Sequence, residues 1–179
     1  MKRTKNPAKE AEYRKRAADL VAQMTLHEKV SQMLSWAPAI ERLGIPAYNW
    51  WSEGIHGIGR AGTATVFPQA IGMAAAFDED MMEQVGNAVG VEARGKYNMC
   101  RAHGDRDIFK GLTVWAPNIN IFRDPRWGRG HETYGEAPCL TSRLGVRFVE
   151  GMQGNDPDYL QAAACAKHFA VHSGPESDR

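Results

Sequence analysis

Residues 162–176 read AAACAKHFAVHSGPE, and this stretch is the clearest guide to the fold. Its first part, residues 162–170, is rich in alanine and has the apolar character of a buried strand. Lys167 and His168 bring a cationic group and an imidazole to this strand. In barrels of parallel strands, polar residues at the carboxyl ends of the strands build the functional site. The stretch therefore predicts a barrel strand that delivers polar side chains to a site.

Strands and helices alternate over much of the chain. Residues 47–51 and 112–116 are predicted strands, whereas residues 78–96 and 140–152 are predicted helices, the second closed by Gly154. This alternation predicts parallel strands with helices packed outside them, in a closed barrel or in an open doubly wound sheet.

Two observations favour the barrel. No G-x-G-x-x-G turn follows the first strand, as a dinucleotide-binding sheet would need, and polar clusters follow several different strands. A complete barrel of this kind needs roughly 250 residues, and this chain has 179. We therefore expect an α/β fold that is roughly the first half of a (β/α)8 TIM-type barrel.

Two leading helices are expected within residues 1–34, ahead of the first strand. Apolar residues recur at helical spacing over residues 9–24, which predicts an amphipathic helix. Thr25 and Glu28 then form a capping-box pattern at the start of a second helix.

The charge balance argues against some classes of partner. The chain has 22 Lys and Arg against 21 Asp and Glu, so it lacks the basic field that nucleic acid or an anionic membrane would require. No apolar run follows the basic N-terminus, so neither a secretory signal nor a membrane span is visible, and the compartment stays unassigned. Three widely spaced cysteines, Cys100, Cys139 and Cys165, predict buried or idle thiols rather than a disulfide framework or a metal site.

Three stretches combine aromatic, charged and glycine residues near predicted strand ends. Aromatic rings can cover the apolar face of a sugar, while carboxylates accept and Lys, Arg or His donate hydrogen bonds to its hydroxyls. A Trp pair is more often packed in a core, and a dense run of charge can equally be a surface loop whose charges pair with each other. The stretches are Trp50-Trp51-Ser52-Glu53 with His56-Gly57, residues 123–136 (RDPRWGRGHETYGE), and residues 167–176.

Taken together, several motifs in this order resemble glycoside hydrolase family 3, specifically its β-xylosidase and β-glucosidase members. They cover nearly the whole chain, residues 1–179, which is then the incomplete N-terminal part of that family's barrel domain. The motifs are Thr25-Leu26-His27-Glu28-Lys29, Tyr48-Asn49-Trp50-Trp51-Ser52-Glu53, Phe67-Pro68-Gln69, Trp115-Ala116-Pro117-Asn118-Ile119-Asn120, Asp124-Pro125-Arg126-Trp127-Gly128-Arg129 and Lys167-His168-Phe169.

The resemblance implies hydrolysis of terminal, non-reducing β-linked sugars with retention, through two carboxyl groups and without a cofactor or metal. In the family, the glycone-binding positions match Glu53, Arg129, Lys167 and His168 of this sequence. We expect the carboxylate to accept, and the other three to donate, hydrogen bonds with the hydroxyls of a small oligosaccharide or glycoside. The family's nucleophile and acid/base match no residue of this chain, so the chain alone should be inactive and needs the C-terminal part of the same enzyme.

Two positions refine or weaken the resemblance. Glu53 stands where glucosidase members often have aspartate, and the longer carboxylate leaves less room beside an exocyclic carbon, which predicts a preference for xylose or arabinose over glucose. Ala137 and Cys139 stand where the family usually has Asp and Tyr, which predicts looser packing where the following helix begins.

Two alternatives remain at this point. One is a non-catalytic sugar-binding module that uses the same four residues. The other is a metal-dependent barrel hydrolase, because His168 and His172 have the spacing of a helical metal pair, although a Gly-Pro pair follows and the context is that of a strand. Its candidate ligands are His56, His131, His168 and His172.

Overall fold

The computed structural model describes residues 6–169 and 172–178, which adopt a mixed α/β fold. The α-helices are α1 (Pro7–Gln23), α2 (Leu26–Ser31), α3 (Ala70–Ala74), α4 (Glu79–Ala102) and α5 (Pro138–Gln153). The β-strands are β1 (Trp36–Ala37), β2 (Tyr48–Asn49), β3 (Thr113–Val114) and β4 (Ala163–Ala164). Short 3₁₀ turns span Glu41–Leu43, Gly59–Ala61, Gly130–Glu132 and Glu176–Asp178. None of the helices in the described part of the chain is long and apolar enough to cross a membrane.

Local capping signals set the starts of the two leading helices. α1 begins at Pro7 because the side chain of Asn6 accepts hydrogen bonds from two backbone N–H groups of the first turn. The Thr25 hydroxyl accepts from the Glu28 N–H at 3.2 Å, and the Glu28 carboxylate accepts from the Thr25 N–H at 2.7 Å. The helix predicted over residues 9–24 and the capping box that follows it are both present.

α4 and α5 pack against each other through glycine. A Cβ atom on Gly86 would overlap the carbonyl oxygen of Phe148, and one on Gly151 would overlap the carbonyl oxygen of Glu83. The two backbones therefore approach each other at positions where only glycine fits. The apolar core shared by these helices and β3 includes Met82, Val89, Val114, Leu144, Phe148 and Met152.

The ends of α4 and α5 largely follow the sequence signals. Asp78 caps α4 through a 2.9 Å hydrogen bond from the Met81 N–H, and Gly154 ends α5 with a φ of 69°. α4 continues to Ala102, beyond the predicted end near residue 96, since no residue between these positions breaks a helix.

Three chain segments lie side by side in parallel. Ser52 pairs with Val114, and β3 pairs with β4. Farther along, Asn118 pairs with Lys167. The predicted strands at residues 112–116 and 162–170 are therefore parallel neighbours, although regular pairing covers only two residues of each and residue 170 lies outside the described residues. Within the described residues the strands close no barrel.

The aromatic run at residues 47–51 differs from its prediction as a barrel strand. β2 pairs antiparallel with β1, and the Trp50 N–H donates to the Ser35 carbonyl at 2.8 Å. Parallel pairing starts only at Ser52, whose carbonyl accepts from the Trp115 N–H at 2.7 Å. The sequence did not predict β1 because a two-residue strand is too short to show periodicity.

Candidate functional site

Glu53 and Lys167 meet at the carboxyl ends of the parallel row, which is formed by Ser52, β3 and β4. Glu53 directly follows Ser52, and Lys167 follows β4 by three residues. The Lys167 Nζ atom lies 3.2 Å from Glu53 Oε2, and the two side chains are only 11% and 28% exposed. Two of the four predicted site residues, far apart in sequence, therefore form an ion pair that is largely shielded from water.

Aromatic rings hold Glu53 from its other side. The Trp51 Nε1–H donates to Glu53 Oε1 at 2.8 Å. The Trp51 ring stacks on Trp115 with centroids 5.0 Å apart and an interplanar angle of 12°, and it meets the edge of Phe109 at 6.4 Å. Each oxygen of Glu53 thus receives one protein hydrogen bond and keeps lone pairs for a further donor.

Arg129 is held by a carboxylate three residues away. Its Nε and Nη2 atoms donate to the two oxygens of Glu132 at 2.7 and 2.6 Å, which is the bidentate arrangement of a guanidinium on a carboxylate. Hydrogen bonding to Glu132 raises the pKa of Arg129. Burial works against ionisation of Glu132, yet the bond to Arg129 keeps the pKa of Glu132 below its ordinary value. This ion pair fixes the guanidinium at the edge of the site.

His168, the fourth predicted residue, lies on the opposite side of the same guanidinium. Its Nε2 atom is 3.4 Å from Arg129 Nη2, and His172 Nε2 is 3.0 Å from Arg129 Nη1. Burial, followed by the influence of His172, Lys167 and Arg129, lowers the pKa of His168 to about 4. The imidazole of His168 is therefore neutral at neutral pH.

Glu53, Arg129, Glu132 and Lys167 border a cavity of about 430 Å³, whereas His168 is not among the residues that line it. This volume falls in the range of roughly 300–1,000 Å³ that is typical of small-molecule sites. The cavity combines ring surface with charge, since the Arg60 guanidinium also lies 4.6 Å from the Phe109 ring centroid. Its lining includes Trp51, Glu53, Arg60, Phe109, Arg129 and Lys167.

The dense charged loop at residues 123–136 serves two purposes. Arg126 pairs with Asp124 at 2.6 Å with its side chain 72% exposed, which is the surface pairing expected of a structural loop. Arg129, by contrast, lines the cavity. The two uses considered for this loop therefore apply to different arginines.

The histidines do not form a metal-type cluster. His56 Nδ1 lies 3.0 Å from the carbonyl oxygen of Phe67, while the Nε2 atoms of His168 and His172 face the Arg129 cation. Over residues 6–169 and 172–178, no group of three or more His, Cys, Asp and Glu side chains could hold a metal ion. The described geometry gives no support to the metal-dependent alternative.

Comparisons with known proteins identify the family of this chain. The model for the glycosyl hydrolase family 3 N terminal domain matches residues 16–179. The chain belongs to glycoside hydrolase family 3. It is 50% identical over 169 residues to a xylan 1,4-beta-xylosidase of Xylanibacter ruminicola, and this match covers 93% of the chain and 20% of that protein.

Solved structures of family 3 enzymes agree with the fold of this chain. A family 3 exo-beta-xylosidase in complex with a xylobiose aziridine activity-based probe matches with a TM-score of 0.77 and 35% identity, over 92% of this chain and 22% of that one. A beta-glucosidase from Streptomyces venezuelae in complex with D-glucose matches with a TM-score of 0.65 and 31% identity, over 88% and 19%. The resemblance read from the motifs is confirmed, and this family 3 chain spans about a fifth of the length of these relatives.

Some residues that support this site have no role that the sequence alone predicts. Glu132 lies in the charged loop, and Trp115 and Asn120 lie in the motif at residues 115–120, but these positions predict no role for them. Trp115 and Asn120 have partners that are distant along the chain. Glu132 is one of several equivalent carboxylates in its loop. The only available signal was that Trp115 and Asn120 follow β3, at the end where site residues gather.

Proposed function

We propose that this chain supplies the sugar-binding part of a retaining β-glycosidase whose preferred substrate is a terminal β-xyloside, with α-L-arabinosides and β-glucosides as further candidates. The observation that carries the proposal is the convergence of Glu53, Lys167, Arg129 and Trp51 on one cavity. A pyranose needs an apolar ring face and both donors and acceptors for its hydroxyls, and these four side chains offer all of them.

The same proposal includes the fold of the parent enzyme. The parallel row formed by Ser52, β3 and β4, with α4 and α5 in the intervening chain, has the connectivity of consecutive β/α units. The site residues lie at the carboxyl ends of these segments, where such barrels carry their active sites. We therefore take this chain as roughly the first half of a (β/α)8 barrel.

The carboxylates of the site fit binding better than catalysis. Retention requires a nucleophile and an acid/base, and an efficient proton donor has a pKa near the working pH. Glu53 is paired with Lys167, and the pKa of Glu132 lies below its ordinary value because of Arg129. Both catalytic carboxyl groups are therefore assigned to the remaining part of the parent enzyme.

Glu53 is the residue that we propose to select the sugar. Trp51 and Lys167 hold its two oxygens, so the carboxylate cannot withdraw to make room for a larger substrate without breaking these bonds. A hexose carries an exocyclic carbon that xylose lacks. A glutamate here therefore favours the pentose, and the shorter aspartate would readmit the hexose.

Kinetics of the full-length enzyme that contains this chain would test the proposal. The ratio of kcat/KM for nitrophenyl β-xyloside over nitrophenyl β-glucoside should favour the xyloside in the wild type. It should fall by roughly tenfold or more in Glu53→Asp, the scale that one methylene of pocket space supports. The exposed Glu41 gives a matched control, since Glu41→Asp should leave the ratio unchanged. A wild-type preference for the glucoside would contradict the assignment.

Experiments on the chain alone distinguish sugar binding from catalysis. We expect calorimetric titration with xylose or xylobiose to detect binding, and we expect no saturable hydrolysis of nitrophenyl glycosides. Saturable hydrolysis would overturn the assignment of both catalytic carboxyl groups to the rest of the enzyme.

A further inference from the structure

We propose that Asn120 is a positioning residue that holds His168 as the Nδ1–H tautomer, so that the imidazole offers its bare Nε2 atom to Arg129 as an acceptor. The inference deepens the proposed sugar site, while the tautomer itself can be measured without any sugar. It replaces the donor role that the sequence suggested for His168.

The first step is the contact between the two side chains. Asn120 Oδ1 accepts from the backbone N–H of His168 at 2.9 Å and lies 2.8 Å from Nδ1 of the same residue. Because a backbone N–H can only donate, the side-chain atom facing it is the amide oxygen and not the nitrogen. An amide oxygen only accepts, so Nδ1 carries the proton.

The amide group of Asn120 is itself fixed. Its Nδ2 atom donates to Ser173 Oγ at 3.3 Å, and its backbone N–H donates to Asn118 Oδ1 at 2.9 Å. These contacts hold the amide in the orientation that presents Oδ1 to His168.

A second, independent contact lies on the opposite side of the His168 ring. His168 Nε2 lies 3.4 Å from Arg129 Nη2, and a guanidinium can only donate. Nε2 must therefore be unprotonated, in agreement with a proton on Nδ1. Arg129 Nη1 faces His172 Nε2 at 3.0 Å in the same way.

The charges around the ring keep it neutral. Burial and the facing His172, Lys167 and Arg129 all lower the pKa of His168, whereas Glu132 alone among the facing groups raises it. The pKa of about 4 leaves Nε2 bare at neutral pH. Its single lone pair accepts from Arg129, so His168 acts on the site by holding the guanidinium.

The consequence for Arg129 is a limit on how many hydrogen bonds it can give to a ligand. Glu132, His168 and His172 engage four of its five N–H groups among the described contacts. One N–H of Nη1 then remains for a hydroxyl, and Lys167 and Arg60 are further donors at the cavity.

Histidine-selective ¹⁵N labelling of the chain tests the proposal directly. Two-bond ¹H–¹⁵N correlation spectra at pH 7 distinguish a protonated ring nitrogen from a bare one, and the spectrum of His168→Gln identifies the signals of His168. We expect a protonated Nδ1 and a bare Nε2 in the wild type. A protonated Nε2 would overturn the proposal without any further variant.

Two variants test the part played by Asn120. Asn120→Ala should produce a mixture of both tautomers, and Asn120→Asp should raise the titration midpoint of His168 by about 1–3 pH units, since a carboxylate stabilises the imidazolium. Asn98→Ala, an exposed site on α4, is the control that should change neither. An unchanged tautomer and midpoint in both Asn120 variants would contradict the proposal. If His168 shows the expected tautomer but the chain binds no xylose, the sugar site is refuted and the role of Asn120 stands.

Discussion

Ala137→Asp should stabilise the chain by supplying a cap that α5 lacks. Ala137 already has the extended conformation of an N-cap residue, with φ −85° and ψ 118°, and its carbonyl accepts the first helical hydrogen bond from the Thr141 N–H at 3.0 Å. No side chain caps this end, and Ala137 is exposed, so an aspartate can enter without moving the backbone. The resemblance to family 3 implies Asp at this position.

The expected gain follows from two contributions. A capping side chain is worth about 0.5–2 kcal/mol relative to alanine, and a negative charge at a helix N-terminus adds about 0.3–1 kcal/mol. A sum of about 1–3 kcal/mol would raise Tm by roughly 2–12 °C for a chain of this size.

Urea unfolding followed by circular dichroism measures the free energy of unfolding for Ala137→Asp beside two controls. Ala137→Asn keeps the cap without the charge and should retain most of the gain, whereas Ala137→Leu should give none. Asp78→Ala removes the existing cap of α4 and should cost a similar amount. Equal stability of the Asp and Leu variants would refute the reasoning.

Three further predictions concern packing, pH and the guanidinium. Gly151→Ala should destabilise the fold by about 1–3 kcal/mol because the new Cβ atom overlaps the Glu83 carbonyl oxygen. Gly95→Ala, with open space around it, should stabilise the fold by about 0.5–1 kcal/mol. Equal effects of the two variants on thermal unfolding would contradict this packing. Unfolded His168 takes up a proton below pH 6.5 and the folded form only near pH 4, so stability should fall as pH drops through this window. His168→Gln should flatten that dependence in urea titrations at several pH values, and an unchanged slope would count against it. Glu132→Gln should weaken xylose binding because Arg129 loses the ion pair that fixes its guanidinium, and it should leave the far-UV circular dichroism spectrum unchanged. An unchanged xylose affinity in calorimetry would show that this ion pair is dispensable.

Short-range signals in the sequence predicted much of the secondary structure. The Thr25–Glu28 capping box, the Asp78 cap and the closing Gly154 each act within a few residues, so they can be read from the chain directly. The hairpin of β1 and β2 was not predicted, since Trp36–Ala37 has no pattern of its own and forms only because β2 lies beside it.

The sequence predicted residues that line the cavity but not the residues that hold the site in place. The resemblance to family 3 pointed to Glu53 and Lys167, and the structure brings them within 3.2 Å of each other. Asn120 and His168 are 48 residues apart, and their hydrogen bonds depend on the pairing of distant strand ends. No local rule links such residues, so the tautomer of His168 could only be inferred from the folded chain.

Titration of the ¹⁵N-labelled chain with xylose, observed at the indole N–H of Trp51, tests the central claim most directly. This N–H donates to Glu53 Oε1 at 2.8 Å and lies at the cavity wall, so a bound sugar must change its surroundings. We predict a saturable shift of this resonance that glucose reproduces more weakly and that Glu53→Gln abolishes. A Trp51 resonance that xylose leaves unmoved, or that shifts equally in the Glu53→Gln variant, would contradict a sugar site built on Glu53.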